Sequence, residues 1–349
     1  MGPDSFDIPD SASIIAAWIG DAFTVLSPFG TDSRFHWTGL SAFVVLGLAI
    51  YALERKRTNS AQTGPLGFLF PPALYRSASS WVDVKVYVAG RFVRPLTGAI
   101  VWPMQVVVMG VTASFVSASI TSGEVSEPTA WSLLLGTALV ALVSDLGYYV
   151  THRISHESRW LWPFHKVHHS AEVLTPITAK RNHPVFNLAL ALVRMLLSAP
   201  ISGAILGVFG VVELATIFGL TMLIALMNVT GGALRHSHIW LDFGPILDRI
   251  FISPAQHQIH HSQAPRHHNK NYGLTLAIWD WMFGTLYVPQ EREALEFGVA
   301  DAEGNALPQA HNGLIEAYLM PFKEVYAVAH EKAPAPLHQA PDGIEGERA

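Results

Sequence analysis

The chain has 349 residues, of which 50% are hydrophobic and 14% are charged, and its mean hydropathy is +0.30. Soluble domains carry about 25% charged residues, so this composition predicts a membrane protein. The net charge of −5, without a long basic run, argues against nucleic-acid binding. The lack of cysteine excludes disulfides, thiolate nucleophiles, cysteine-ligated iron–sulfur clusters and cysteine-type zinc sites.

The chain begins with an acidic segment that has no basic stretch typical of a cleaved signal peptide, so the first spanning helix is expected to direct insertion. An apolar but short segment, residues 13–26, contains Asp21 and is predicted to be an interfacial helix. Valines alternate in residues 81–94 as in a strand, but an unpaired strand beside a membrane is costly, so a surface-lying helix is favoured. Five apolar stretches approach the length of about 20 residues that spans a bilayer: residues 37–53, 96–120, 131–150, 186–208 and 211–228.

Prolines are expected to modify two of these stretches. Pro103 is the expected point of a kink in the second. Pro200 and Gly203 are predicted to bend the fourth or to restrict it to part of the bilayer.

Flanking charges predict the orientation of the spans. Basic residues follow the first span at residues 55–57, precede the second at Arg91 and Arg94, and follow the third at Arg153 and Arg159. All of them are cytoplasmic if the N-terminus lies outside. The loop of residues 121–130, which contains two glutamates and no lysine or arginine, then also lies outside. The protein is therefore predicted to reside in a bacterial inner membrane or the endoplasmic reticulum.

These elements predict an all-α fold, a polytopic membrane helical bundle of four to five spanning helices with a cytoplasmic, helical, histidine-rich cap. The expected domains are an N-terminal segment with an interfacial helix (residues 1–35), a membrane domain (residues 36–332, with a histidine-rich core at 145–289) and a disordered tail (residues 333–349). No tandem repeat is present.

Thirteen of the seventeen histidines fall between His152 and His268, most of them at repeated spacings. Positions i, i+3 and i+4 share one face of a helix, so each group directs imidazoles toward one point. A site made of imidazoles needs three or four ligands, so eight suggest two metals. The groups are His152-x3-His156, His165-x2-His168-His169 and His257-x2-His260-His261.

Helix signals accompany these groups. The first continues the third span beyond the membrane, while Pro163 and the Ser253-Pro254 pair mark helix beginnings just before the other two. Asp145, two turns before His152, is predicted either to accept the second ring N–H of a ligand or to bond a neighbouring helix.

Several other histidines are weaker candidates as ligands or as residues around them. His236 and His238 would point about 200° apart on a helix, so one of them, preferably His236, is expected to face the metals. His183 is a possible ligand or substrate contact, and His267 and His268 lie in a polar loop. The aromatic and glycine-rich run from Asn271 to Thr285 is expected to form an interfacial belt near the site.

The three histidine groups, together with Asn271-Tyr272-Gly273, Trp279-Asp280 and Phe283-Gly284-Thr285, resemble the sterol desaturase/fatty acid hydroxylase superfamily. The resemblance covers roughly residues 145–289 and implies an integral-membrane, non-haem di-iron oxygenase. The family's middle histidine element resembles Arg235-His236-Ser237-His238, although its third position is often Asn. Gly232 stands where fatty acid hydroxylase members carry a further histidine, so nine ligands are expected rather than ten.

The resemblance implies O2-dependent oxidation of a lipid C–H bond, hydroxylation or desaturation, at two irons on the cytoplasmic face, with O2 as co-substrate. Zinc is expected to replace iron in some purified preparations. No His-Pro-Gly-Gly segment of a fused cytochrome b5 domain occurs, so a separate donor of the ferredoxin or cytochrome b5 type, with its reductase, is expected. The substrate stays open among sterols, fatty acids, sphingoid or ether lipids and carotenoids.

Two other functions are compatible with histidine-rich membrane proteins. A zinc transporter would place its ligands near mid-membrane, whereas these groups lie beyond the ends of the spans. A zinc-dependent membrane hydrolase needs few ligands and a catalytic glutamate, for which Glu157 and Glu172 are nearby, but it does not need eight histidines.

Overall fold

The structure is a computed structural model that describes residues 37–58, 64–120, 129–209 and 231–330. Within these ranges the secondary structure is helical, with three isolated β-bridges and no longer strand. The helices are α1 (Trp37–Thr58), α2 (Pro65–Leu69), α3 (Pro72–Tyr75), α4 (Ala78–Ile120), α5 (Ala130–Glu157), α6 (Trp162–His169), α7 (Pro184–Phe209), α8 (Gly244–Leu247), α9 (Pro254–His260), α10 (Ile278–Met282) and α11 (Leu314–His330).

Three helices in the described part of the chain are long and apolar enough to cross a membrane. They are Gly98–Ile120, which is the second half of α4, and the whole of α5 and α7. The first predicted stretch forms α1 but is not among the three. The fifth stretch, the interfacial segment and the C-terminal tail lie outside the described residues.

The valine-rich segment of residues 81–94 is helical, as predicted, because it is the first half of the 43-residue helix α4. Its alternating valines do not form a strand. Val82 and Val86, four residues apart on one helical face, are buried against Val167 of α6 and Ala317 of α11. Helix α4 also continues through Pro103 without ending.

Helix α7 contains a π-helical turn at Arg194–Ser198, directly before Pro200. Proline removes one backbone donor and crowds the carbonyl four residues earlier, and a π turn relieves this conflict without ending the helix. Gly203 does not interrupt the helix but lies at its contact with α4, where a Cβ atom would collide with the Met109 carbonyl oxygen. The span is therefore continuous from Pro184 to Phe209.

Gly203 and Gly207 form a small-residue stripe four positions apart on α7. A Cβ atom at Gly203 would lie 2.9 Å from the Thr112 Cβ atom, and one at Gly207 would lie 3.0 Å from the Val116 Cβ atom. Helices in membranes pack closely through such pairs, because apolar burial alone does not drive their association in lipid. This contact holds α7 against α4.

Candidate metal centre

The histidine groups lie at the end of the long helix α5 and in the short helices α6 and α9. His152 and His156 occupy the last turns of α5. Helix α6 carries the second group immediately after Pro163. Helix α9 begins with the predicted cap: the Ser253 hydroxyl accepts from the Gln256 amide N–H, and the Gln256 side chain returns to the Ser253 N–H.

The nine predicted ligands gather in two groups that could each hold a metal ion, and in each group the ligand atoms lie within 4.8 Å of one another. All nine are buried. Cluster 1 contains five residues: His152, His156, His165, His169 and His260. Cluster 2 contains four residues: His168, His236, His257 and His261.

The helix period explains how each His-x2-His-His segment divides between the clusters. In α6 the first and last histidines, four residues apart, join cluster 1, and His168 joins cluster 2. The segment around α9 does the reverse, because His257 and His261 join cluster 2 while His260 joins cluster 1. Consecutive helical residues diverge by about 100°, so the adjacent histidines must face different points. Each segment therefore contributes to both clusters.

The two clusters are direct neighbours. The ring centroids of His169 in cluster 1 and His261 in cluster 2 lie 4.4 Å apart. Within cluster 2, the Nε2 atom of His236 lies 3.2 Å from that of His168 and 3.1 Å from that of His257. Nitrogens that bind one ion at about 2.1 Å are separated by about 3.0–3.4 Å. Cluster 2 thus already has the spacing of a shared ion.

Burial keeps these imidazoles neutral. Desolvation lowers the pKa of His260 to about 4, and desolvation together with neighbouring histidines lowers the pKa of four others well below the usual range. Neutral imidazole is the form that binds a metal. Buried ring nitrogens without a hydrogen-bond partner occur at His152, His165, His169, His257, His260 and His261.

Such unsatisfied atoms are costly unless a ligand binds them. The donor set is purely nitrogen, which suits iron, zinc or copper rather than calcium or magnesium. The residues present therefore fit two transition-metal ions.

Two backbone carbonyls orient ligands of cluster 1. The Nδ1 atom of His152 lies 2.7 Å from the Tyr272 carbonyl oxygen, and that of His260 lies 2.7 Å from the Lys270 carbonyl oxygen. An Nδ1–H that donates to a carbonyl leaves the Nε2 lone pair for a metal. Asn269 and Asn271 flank Lys270 with φ of 57° each, a conformation that asparagine tolerates well.

Asp145 holds the loop that supplies these carbonyls, rather than a ligand imidazole. Its carboxylate accepts from the amides of Thr275 and Leu276 and from the Trp279 indole N–H, at 3.0–3.1 Å. One predicted alternative was that Asp145 accepts the second ring N–H of His152. In the structure the Tyr272 carbonyl oxygen is the partner of that ring nitrogen. Asp280 acts similarly on the same loop, because it accepts from the amides of Tyr272 and Gly273.

A buried ion pair supports α6 from outside the clusters. The guanidinium of Arg181 contacts the Asp83 carboxylate of α4 at 3.1 Å, and both side chains are completely buried. Arg181 also donates to the Val167 carbonyl and the Ser170 hydroxyl at the end of α6. Sequence patterns do not predict this pair, because its members lie 98 residues apart.

The weaker histidine candidates lie outside both clusters. His183 caps α7, accepting from the Val185 amide through Nδ1, while its Nε2 contacts the Tyr318 carbonyl. The Nε2 of His238 lies 2.7 Å from the Phe68 carbonyl oxygen. His267 lies 3.1 Å from the Glu293 carboxylate, and His268 lies 3.0 Å from the Gln263 carbonyl oxygen. Each of the four therefore has a structural contact in place of a metal group.

The predicted aromatic run packs beside the clusters. The Tyr272 ring lies 5.1 Å from that of His156 and 6.2 Å from that of Tyr149, centroid to centroid. Phe283 stacks on Tyr149 at 5.5 Å. Trp281 and Met282 remain about two-thirds exposed, which agrees with an apolar surface next to the helical spans.

Comparison with known proteins defines the class. Residues 137–285 match the family model for fatty acid hydroxylase, a segment that contains all nine candidate ligands. Residues 137–285 are therefore similar to the fatty acid hydroxylase family, in agreement with the resemblance that the histidine groups indicated.

Curated relatives each align with less than half of the chain. It is 33% identical over 175 residues to ornithine lipid hydroxylase OlsE of Rhizobium tropici, covering 49% of this chain and 48% of the relative. It is 30% identical over 167 residues to alkylglycerol monooxygenase of Danio rerio, covering 48% and 32%. It is 30% identical over 161 residues to a very-long-chain aldehyde decarbonylase of Oryza sativa subsp. indica, covering 43% and 24%. The chain thus aligns with half or less of each relative's length, and no solved structure matches it.

Proposed function

We propose that this protein oxidises a C–H bond of a lipid with O2, most simply by hydroxylation, at two irons bound by the nine clustered histidines. The observation that carries the proposal is the division of nine buried imidazoles into two adjacent groups at the end of a membrane-spanning helix. Related proteins named as lipid hydroxylases and monooxygenases support the reaction class.

Hydroxylation converts one C–H bond into C–OH. One O2 molecule, two electrons and two protons are consumed, and the second oxygen atom leaves as water. Bound iron supplies the one-electron O2 chemistry that no side chain provides. The electrons come from a separate donor of the ferredoxin or cytochrome b5 type. One iron would be bound by cluster 1, that is His152, His156, His165, His169 and His260, and the other by cluster 2, that is His168, His236, His257 and His261.

The chain's own residues prepare this chemistry in two ways. The carbonyls of Tyr272 and Lys270 orient the rings of His152 and His260, so the Nε2 atoms face the centre of cluster 1. Close packing around the clusters, with the Trp162 ring centroid 5.1 Å from that of His156, buries all nine imidazoles and limits the access of bulk water.

The proposed membrane arrangement completes the function. We expect four to five spans in total, with the N-terminus outside and both clusters on the cytoplasmic side, where a reductase delivers electrons. The apolar faces of α4, α5 and α7 would then guide a lipid chain toward the metals. This arrangement disfavours a zinc transporter, since the clusters lie at one end of α5 and not at its middle.

Metal analysis combined with lipid mass spectrometry tests the proposal. Protein purified after growth with iron should contain two irons per chain, and cells that express it should accumulate a lipid heavier by one oxygen or lighter by two hydrogens. His168→Ala and His260→Ala should each lose metal and lose at least about 100-fold in product. His330→Ala, at an exposed position at the end of α11, is the matched control. Full iron content and full turnover in either cluster variant would contradict the assignment.

A further inference from the structure

Helix α11 has a packed face that attaches it to the rest of the protein. Its Ala317 is completely buried in a group that includes Val86 of α4 and Val167 of α6. Lys166 of α6 forms an ion pair with Glu324 of α11 at 2.5 Å. Helix α11 is therefore fixed to the short helix that carries three of the nine candidate ligands.

A second face of α11 is apolar and exposed, and we call it the apolar stripe. Its four large side chains follow one another at spacings of four, three and four residues, which places them on one side of a helix. Each is between 51% and 69% exposed: Ile315, Leu319, Phe322 and Tyr326. The apolar stripe lies about 120° around the helix from Ala317 and its packed face.

The remaining side of α11 is polar and carries no excess of positive charge. Glu316, Lys323 and Ala327 are exposed there. The whole helix contains one lysine and two glutamates. Attraction to anionic lipids or to nucleic acid therefore does not explain the exposed stripe, and any partner must be held by apolar contact.

The apolar stripe lies where a membrane-spanning helix begins. The span formed by α7 starts at Pro184, and His183 caps it. The Nε2 atom of His183 lies 3.1 Å from the Tyr318 carbonyl oxygen of α11, and its ring lies 5.5 Å from that of Phe322, centroid to centroid. Phe322 is thus level with the end of α7, at the boundary where this helix enters the lipid.

The size of the stripe favours lipid over a second protein as its partner. Four half-exposed side chains of this kind offer roughly 500 Å², whereas a standard protein interface buries about 800 Å² on each partner. An apolar patch of that size still marks an interaction site. A helix with one apolar and one charged side typically lies in the membrane surface, and a tyrosine such as Tyr326 suits that boundary.

We propose that α11 lies in the membrane surface as an interfacial helix, with the apolar stripe immersed at the boundary of the acyl chains. Its packed face then holds α6, and with it ligands of both clusters, at the bilayer surface. This anchor is additional to the three candidate spans. It requires neither bound metal nor turnover, so its test is separate from that of the proposed reaction.

Spin labelling tests the immersion directly, because the chain contains no cysteine. Leu319→Cys places a nitroxide label at the centre of the apolar stripe, and Ala327→Cys places the matched control on the polar side. In phosphatidylcholine nanodiscs, the label's collisions with O2, which concentrates in lipid, are compared with its collisions with a water-soluble nickel chelate. The ratio of oxygen to nickel accessibility should be at least about five-fold higher at Leu319→Cys than at Ala327→Cys.

Removal of apolar side chains provides the second arm. With the label on Tyr326→Cys, the double substitution Ile315→Gln and Leu319→Gln should lower the accessibility ratio at least about two-fold, since less apolar area remains to hold the helix in lipid. The pair Glu316→Gln and Lys323→Gln should leave the ratio unchanged. All four replaced side chains are exposed, so the variants should fold, and thermal melting checks that they do.

Each contrary result identifies a different environment for the stripe. High nickel accessibility at Leu319→Cys would show that the stripe faces water. Low accessibility to both reagents would show that protein covers it, and dipolar broadening between labels would identify that protein as a second copy of this chain. Any of these results, or an unchanged ratio after the double glutamine substitution, would overturn the interfacial helix.

Discussion

Individual side chains around the clusters divide into those that face the metals and those that hold the surrounding backbone. His236 and His238 lie two residues apart in a non-α-helical segment, yet only His236 reaches a cluster. His238 turns toward the Phe68 carbonyl and contacts the Phe68 ring at 5.7 Å. His238 therefore links the segment that carries His236 to residues 64–70.

Substitution of these two histidines should give opposite results. His236→Asn should reduce bound metal from two ions per chain to about one, because cluster 2 would retain three imidazoles and a weaker amide ligand. His238→Asn should leave metal content unchanged and cost about 1 kcal/mol of stability through its lost hydrogen bond. Elemental analysis and thermal melting of both variants provide the measurement. Loss of metal from His238→Asn would show that His238 belongs to the centre.

At the scale of elements, close contact between α4 and α7 determines where the spans lie relative to α5. Gly203 and Gly207 bring the α7 backbone onto the carbonyls of Met109 and Ala113. Leu206, between them, is completely buried against Ala113 of α4 and Val140 of α5. Because α7 packs on both α4 and α5, a change at this contact should also displace the end of α5, where His152 and His156 lie.

Gly203→Leu is expected to separate α4 from α7 and to destabilise the protein by about 2–4 kcal/mol, as overpacking at a close backbone contact does. Gly110→Ala, on α4, has no atom within 4 Å of the added methyl group and should be neutral or slightly stabilising. Thermal unfolding in nanodiscs compares the two variants. An unchanged melting temperature in Gly203→Leu would mean that the helices are not in contact there.

At the scale of the whole molecule, the segments that carry and surround the two clusters contain many buried titratable groups. Five cluster histidines outside the spans have a lowered pKa, chiefly because of desolvation. Burial raises the pKa of Asp83, Asp248 and Asp280 to about 6 each. These two sets affect stability in opposite directions as the pH falls.

The sign of the pH dependence follows from proton counts. Below about pH 6.5 the histidines of the unfolded chain become protonated, whereas the buried cluster histidines of the folded protein stay neutral. The free energy of unfolding therefore falls. Between about pH 6 and 4 the three folded carboxyl groups take up protons before their unfolded counterparts, so stability rises. The five histidines lower the free energy of unfolding by more than the three carboxyl groups raise it. The net result is a loss of stability from about pH 6.5 down to about pH 4, where His260 titrates.

Metal binding adds to this trend, because protons compete with metal for imidazole. We therefore expect metal-free protein to melt at a progressively lower temperature as the pH falls below 6.5, and loaded protein to release its metal in the same interval. Calorimetry in nanodiscs and elemental analysis after gel filtration at each pH measure both effects. A melting temperature that stays constant or rises from pH 7 to 5 would contradict this balance.

Local rules were sufficient for much of the centre. The spacing of His165, His168 and His169 and the Ser253-Pro254 signal predicted helices that carry histidines on defined faces, and the structure contains them. Length and hydropathy predicted the three long apolar helices. These features depend on residues within a few positions of one another, which is why the sequence alone determined them.

Tertiary structure decided the rest. Which imidazole joins which cluster depends on how α5, α6 and α9 approach one another. The orientation of His152 depends on the Tyr272 carbonyl, 120 residues further along the chain, and backbone carbonyls leave no mark in the sequence. The π turn before Pro200 and the Gly203 contact likewise reflect packing between helices. Local geometry is encoded by near neighbours, whereas convergence on a metal pair arises only when distant segments pack together.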